Sequence, residues 1–568
     1  MPEYLSPGVY VEEIEVGTKP IEGVSTSNLG IAGPTERGPS DVRLVTSLLE
    51  FQRLYGNPIR GSHLAHAVKG FFDNGGRRCF MARVTGAGAT SAGSAFGPLQ
   101  LTALGPGVWG NNVLVRITDP MTGNAPNPNR FRLVLAYYAT LPPTFPVAAP
   151  AGGGAPVGGG GAPVGGGGAP VGGGGAPAAP PAPPAFVDPS EPGSQSRPGY
   201  VRPDVLEVFD NLSFDVNDAN YVLRVLGGSN LVFAGWVQGQ NPGRPGNTAP
   251  NDPNATGFAA LAGGADGGAA LNANDYTGRD EGPEQRNGAG VSWSTALLGL
   301  ERVDEVNLLV APDEHAVQGL RDLLIDQCER LRDRFALLSV AEGQRQVGNI
   351  QVDPPTTFAA LYWPWIQVLH PNGVERVTIP PVGHVAGIIA RTDIERGVHK
   401  APANAVVRGA LELEFPVNRG MQDVLNPRGV NVIRDFRADG NGLRLWGART
   451  MSDDPEWKYV NVRRLFLFLE ESIDEGTQWV VFEPNADPLW DRVKRSIESF
   501  LLTVWRNGAL MGTRPDQAFY VKCDRSTMTQ DDIDNGRLIC YVGVAPVKPA
   551  EFVIFRIHQW ALGAKQAV

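Results

Sequence analysis

The 568-residue sequence predicts a multidomain chain that is α/β in its middle and α+β in its last third, with an inserted β domain and an extended strand arm at each end. Three observations predict this. An apolar run at 306–311 is followed by Leu320, Leu323, Leu324, Cys328 and Leu331 at helical spacing, then by a second apolar run at 335–340, which is a β-α-β pattern. Residues 113–118, 131–138 and 201–209 alternate as half-buried strands do. Residues 459–475 and 487–507 read as amphipathic helices on either side of a strand at 479–482, with further strands at 518–523 and 538–544.

Taken in order, Ser47 with Glu50 three residues later is a capping-box start for a short helix. Ser62 opens a second helix that runs toward Gly75 and Gly76, and residues 79–84 form a strand. In the β-α-β unit, Asp313 stands where a helix cap is expected. Between the second and third alternating strands the composition changes: residues 139–200 hold 32 glycines and prolines, and the unit Gly-Ala-Pro-Val-Gly-Gly-Gly occurs three times from Gly154 and begins again at Gly175. Such a segment lacks the large side chains a core needs and reads as a disordered surface loop, a spacer or a recognition element. The expected organisation is an arm at 1–22, a first part of the α/β core at 23–90, the inserted β domain at 91–235 with its loop at 139–200, a second part of the core at 236–445, a C-terminal domain at 446–545 and an arm at 546–568.

Composition narrows the function classes. A net charge of -10 argues against general attraction to nucleic acid or an anionic membrane. Residues 133–187 carry no charge, but the glycine, proline and alanine that dominate them cannot form a membrane-spanning helix, and the glutamate-rich first 30 residues hold no secretory signal pattern. Cys79, Cys328, Cys523 and Cys540 show no Cys-x-x-Cys spacing, so they read as reduced thiols of a chain made in the cytoplasm. A phosphate-binding loop is absent, and Gly440-Asn-Gly442 lacks the third glycine of a dinucleotide fingerprint. His63 and His66 could share a helix face but lack further zinc ligands in sequence, while Asp531, Asp532 and Asp534 read as a solvated acidic turn. No nucleophile elbow is present. The sequence therefore predicts no catalytic residue, no metal and no cofactor.

The ends carry the more pointed signal. Val9, Tyr10, Val11 and Ile14 form a strand-like stretch with no neighbouring strand to make a hairpin, and Phe552, Val553, Ile554, Phe555 and Ile557 form one that is apolar on both faces. Glu12, Glu13 and Glu15 make the first arm acidic, and Arg556 lies in a basic second arm. Pairing across chains would link subunits into a polymer, and pairing within one chain is the alternative.

Short strings along the chain resemble contractile tail sheath proteins of bacteriophage tails and phage-like contractile injection systems. They are residues 4–13 (Tyr-Leu-Ser-Pro-Gly-Val-Tyr-Val-Glu-Glu), 383–387, 391–393, 397–404, 425–431, 446–450, 459–465, 482–485, 536–538 and 549–553. The resemblance implies a central subtilisin-like α/β sheath domain and a C-terminal domain next to an inner tube, for which Arg492, Lys494 and Arg495 are nominated. It implies a subunit that polymerises helically, in stacked six-subunit rings, and contracts to drive the tube through a target envelope. Implied partners are further copies of itself, the inner tube, the baseplate and a terminal cap, with no nucleic-acid contact and no membrane insertion, in a particle that is released or anchored. A static shell or tube-like protein is the alternative, and a hydrolase on the α/β domain a more distant one. The Gly/Pro insertion departs from the family pattern.

Overall fold

The computed structural model describes residues 20–121, 129–143, 145, 186–248, 257–268, 270–287, 289–371 and 373–554. Two compact units are present: one takes the chain up to Val84, Ala270–Glu281 and everything from Trp293 onward, the other Thr85–Ala269 and Gly282–Ser292.

The first unit is organised on a nine-stranded sheet. In chain order its strands are β1 (Leu29–Gly33), β2 (Arg43–Val45), β3 (Cys79–Arg83), β4 (Leu308–Val310), β5 (Phe335–Ser339), β6 (Ala359–Trp363), β7 (Ala405–Val406), β8 (Val430–Asp435) and β9 (Leu443–Leu445). Their spatial order is β7-β9-β8-β6-β5-β4-β1-β3-β2. The six central strands from β8 to β3 run parallel, and antiparallel pairs close both edges. Every residue of β1, β3, β4, β5 and β6 is buried, which is why these segments read as unbroken apolar runs: a parallel sheet is covered on both faces.

The longer helices of this unit are α1 (Leu48–Tyr55), α2 (Leu64–Asp73), α3 (Leu320–Leu331), α4 (Val382–Arg396), α5 (Val460–Thr477) and α6 (Asp487–Arg506). The Ser47 hydroxyl accepts from the Glu50 amide as the sequence implies, but the Glu50 carboxylate returns to the backbone and hydroxyl of Thr46. α3 connects parallel β4 and β5, as expected of the β-α-β unit. Its start differs from the expectation, because residues 313–319 turn before Leu320. Asp313 instead accepts from the His63 amide at the start of α2 (3.1 Å), so it caps a helix 250 residues earlier in the chain. α2 and α4 cross closely. A side chain at Gly383 would place its Cβ 2.3 Å from the Ala67 carbonyl oxygen, and one at Gly387 would lie 2.4 Å from that of Phe71, so only glycine permits the approach.

α5 belongs to two cores. Val460 and Leu467 pack with the large sheet, whereas Leu465 and Leu469 join Leu489, Trp490, Val493, Ile497, Phe500 and Leu501 of α6 in a second cluster. The expected strand at 479–482 is not formed: Gln478–Val480 is a 3-10 turn and Phe482 has φ +70°. Its apolar residues are spent on a sharp connection between α5 and α6. Beyond α6, β10 (Phe519–Lys522) and β11 (Tyr541–Val544) pair antiparallel, both shorter than their apolar runs.

In the second unit Val113–Thr118, Arg130–Tyr137 and Val205–Ser213 form consecutive antiparallel strands, and Ala259–Ala260 adds to the first of them. That addition explains why this unit reaches Ala269 where the sequence suggests an end at 235. Arg130–Tyr137 is buried on both faces: Phe131, Leu133, Leu135 and Tyr137 face one cluster, Val134, Ala136 and Tyr138 another. Phe145 and Phe186 cover the latter, with ring centroids 5.4 Å apart, and Asp188 pairs with Arg116. The roots of the 139–200 segment are therefore packed structure and not loop. The third strand begins at Val205, not 201, because 186–200 is used in these turns. The repeat from Gly154 lies outside the described residues.

Candidate assembly interface

The C-terminal segment emerges from the two-stranded sheet and is tied down twice. Just after β11, the Met511 amide donates to the Ala545 carbonyl (2.8 Å) and the Val547 amide to the Ala509 carbonyl (3.2 Å). Glu551 then accepts from Arg449 at 2.8 and 2.7 Å, from Asn426 at 2.8 Å and from the Tyr459 hydroxyl at 3.0 Å. Burial pushes the Glu551 carboxyl up, but Arg449, Asn426 and Tyr459 together hold it below the usual carboxylate range. Arg449 is itself placed by Asn431, whose fully buried side chain accepts from the Arg449 amide and donates to its carbonyl, both at 2.7 Å.

Immediately past this anchor, Phe552, Val553 and Ile554 are 70%, 69% and 78% exposed and join no strand ladder among the described residues. Three consecutive large apolar side chains left in water are unfavourable, and such a patch is a candidate docking surface. Phe555, Arg556 and Ile557 lie outside the described residues, as do Val9, Tyr10, Val11, Glu12, Glu13, Ile14 and Glu15 of the other arm.

Behind the anchor lies a second guanidinium–carboxylate pair. Arg464 on α5 grips Asp393 on α4 with two hydrogen bonds, 3.0 and 2.6 Å, and donates to the Thr26 carbonyl, while the Thr26 hydroxyl donates to Asp393. Both charged side chains are 3% exposed. Sequence reading passed over this pair because its members are 71 residues apart. The Asp393 and Arg464 positions nevertheless fall within two of the resemblance strings.

The nominated tube-contact residues all lie on α6, whose buried face is Leu489, Trp490, Val493, Ile497, Phe500 and Leu501. Arg492 is exposed and pairs with Glu483 at 3.0 Å, and Arg495 is exposed with its Nε donating to the Asp491 carbonyl. Lys494 is only half-exposed and lies 4.0 Å from Glu498. The helix begins at Asp487, so Pro488 is inside its first turn, where a missing amide costs nothing.

The histidines converge in an unexpected way. His63 Nδ1 lies 2.6 Å from Asp313, with Trp365 and His315 against its ring, while His66 faces His370. His63 and His66 thus look into different surroundings, and no cluster of three or more ligating side chains suited to a metal is found among the described residues. Burial, reinforced by neighbouring His370, His63 and Lys69, pushes His66 down to about 4. Burial likewise lowers His384, beneath Gly70, to about 4. Asp531 and Asp532 share Arg537, on a short helix (Gln530–Asp534) capped by Thr529, so the acidic turn is a capped helix start. No helix among the described residues is long and apolar enough to cross a membrane.

Two family profiles match this chain in tandem: the phage tail sheath protein central domain over residues 289–451 and the phage tail sheath C-terminal domain over residues 452–559. Residues 289–559 are thus similar to the phage tail sheath family across both of its domains. This matched region holds the Arg464–Asp393 pair, the Glu551 anchor and the β10–β11 hairpin. The tail sheath protein of Escherichia phage P2 is 34% identical over 178 residues, which is 30% of this chain and 42% of that protein. Matched stretches span between 28% and 65% of the curated relatives' own length, under two thirds in each case. The PVC sheath complex of an extracellular contractile injection system, in contracted state, aligns with a TM-score of 0.53 at 21% identity, covering 98% of this chain and 99% of that one. A sheath tail protein from Listeria innocua aligns with a TM-score of 0.54 at 10% identity over 93% and 96% of the two chains. The chain has the mixed α/β, multidomain fold of these sheath structures.

Proposed function

We propose that the chain is the sheath subunit of a contractile, phage-tail-like particle: it polymerises helically around an inner tube and shortens to drive that tube through a target envelope. The observation that carries this reading is the tandem match of both sheath domains across 289–559, on a fold shared with a sheath captured in contracted state. The nine-stranded sheet is the subtilisin-like sheath domain in this reading, and it performs no hydrolysis. Work comes from the free-energy difference between two packings of one set of interfaces, summed over many copies in stacked six-subunit rings.

The arms keep neighbours linked while the bodies move. Phe552, Val553 and Ile554, exposed beyond the Glu551 anchor, enter a neighbour's sheet together with Phe555 and Ile557, and Val9, Tyr10, Val11 and Ile14 reach the same layer from another copy. Glu12, Glu13 and Glu15 bias register toward Arg556, although exposed pairs contribute only about 0–1 kcal/mol each. Arg492, Lys494 and Arg495 face the inner tube, and the baseplate and a terminal cap bound the polymer. The subunit is made in the cytoplasm and needs no membrane insertion.

Removal of residues 1–16 tests the linkage. The shortened chain is expected to remain a folded, soluble monomer that forms no sheath in negative-stain images. Contractile sheath from that chain would refute the linking arms.

A further inference from the structure

Four register pairs define the C-terminal hairpin: Phe519 with Val544, Tyr520 with Gly543, Val521 with Val542 and Lys522 with Tyr541. The next pair in this register is Cys523 with Cys540, at the mouth of the hairpin and 17 residues apart in sequence. Residues directly opposite in antiparallel strands have Cα atoms about 4.5–5.5 Å apart, inside the roughly 4.4–6.8 Å range that a disulfide spans. The chains do not diverge at this point. The Thr527 hydroxyl donates to the Ile539 carbonyl (2.8 Å), and Asp524 accepts from the amide of Ser526 (2.7 Å), so the turn leaving Cys523 is held against the segment entering Cys540.

We propose that Cys523 and Cys540 are a redox-modifiable dithiol that closes to a disulfide with low-molecular-weight disulfides, bolting the mouth of the C-terminal hairpin. The two sulfhydryls lie close enough for each to act on the other's proton. Hydrogen bonding from Cys540 lowers Cys523, with Lys494 helping against burial, Asp524 and Asp491, and the Cys540 proton is held more tightly in return. Cys523 is buried, whereas Cys540 is half-exposed and gives a reagent its entry. Cys79 and Cys328 are different: both are wholly buried in the large core, where burial pushes their thiols up and leaves them inert.

The exchange balances with a disulfide of the form RSSR. One thiol of the pair loses its proton to solvent, and its thiolate attacks one sulfur of RSSR, forming a mixed disulfide and releasing RS⁻. The second thiol then loses its proton, and its sulfur displaces the remaining RS⁻ to form the Cys523–Cys540 bond. Two protein thiols are oxidised, RSSR is reduced to two RSH, and no other reactant is needed. The closed ring carries the helix Gln530–Asp534 and Arg537 with it. A reducing compartment keeps the pair open, and an oxidising one closes it. This chemistry does not depend on the sheath reading.

The test uses the full-length chain incubated with oxidised glutathione, followed by intact mass measurement, alkylation after denaturation and non-reducing peptide mapping. The expected product is lighter by two hydrogens without an adduct, has Cys523 and Cys540 in one linked peptide pair, and keeps Cys79 and Cys328 fully alkylated. Cys523→Ser should stop at a single glutathione adduct on Cys540, because the sulfur that would resolve the mixed disulfide is gone. Separate adducts on Cys523 and Cys540 in the unaltered chain, or a Cys540 that stays unmodified in Cys523→Ser, would overturn the proposal.

Discussion

Two regions of the first unit use the same chemistry, a guanidinium gripping a carboxylate with two hydrogen bonds, at different depths. At the crossing of α4 and α5, Arg464 and Asp393 are each 3% exposed and also hold Thr26. At the C-terminal margin, Arg449 and Glu551 are 10% and 20% exposed, and Glu551 sits on a segment without secondary structure just before three exposed apolar residues. The difference teaches how one subunit can be rigid and connectable together. The inner pair cannot open without leaving a buried charge unpaired, whereas the outer one can be loaded or released at the edge of the fold.

The comparison breaks first at the inner pair. Asp393→Ala should cost about 3–5 kcal/mol, because Arg464 is left buried without its partner. Denaturant unfolding should show that loss, and a change under about 1 kcal/mol would mean that water or Thr26 compensates.

Acid should sharpen the contrast next. His66 and His384 have folded values of about 4 against an ordinary value near 6.5, so the unfolded chain takes up protons first. Their contribution is complete above about pH 6.5 and is lost as pH falls toward 4. Glu551 is depressed, so its anchor is complete above the ordinary carboxylate value and is lost as pH falls through the still lower folded one. Thermal melts across pH 7 to 3 should therefore show core destabilisation before amide exchange rises at 547–554. The reverse order would contradict the ranking of the two regions.

Glu551→Ala is expected to cost about 1–3 kcal/mol, confined to the margin. Amide exchange should accelerate at 545–554 and stay unchanged in β4, β5 and β6, and assembly should fall with it. The smallest effect is expected at α6: Arg492→Glu with Arg495→Glu should shift subunit stability by under about 1 kcal/mol while weakening extended sheath on its tube. Equal loss of extended and contracted sheath would point to misfolding and remove the tube contact.

What was legible in the sequence follows the range of the interactions. The β4-α3-β5 unit and the helices α5 and α6 were readable because periodicity is local and strong there. Asp313 was placed at the wrong helix, since a carboxylate cap can serve any amide that the fold brings to it, here that of His63. Residues 479–482 were misread as strand because an apolar run does not distinguish a strand from a tight connection. The Glu551 anchor and the Arg464–Asp393 pair join residues 102 and 71 positions apart, beyond any spacing rule. The Cys523–Cys540 opposition did leave a signal: the two apolar runs flanking it, once paired as a hairpin, place the cysteines across from one another.

The central claim is that one subunit occupies two polymer lattices around a tube. Cryo-electron microscopy of the assembled particle before and after triggering tests it most directly. The account predicts two helical lattices of this chain, an extended one holding the tube and a shorter, wider one, each with intact Arg464–Asp393 pairs and continuous arm linkage. A single lattice that survives triggering unchanged would contradict it and leave a static shell.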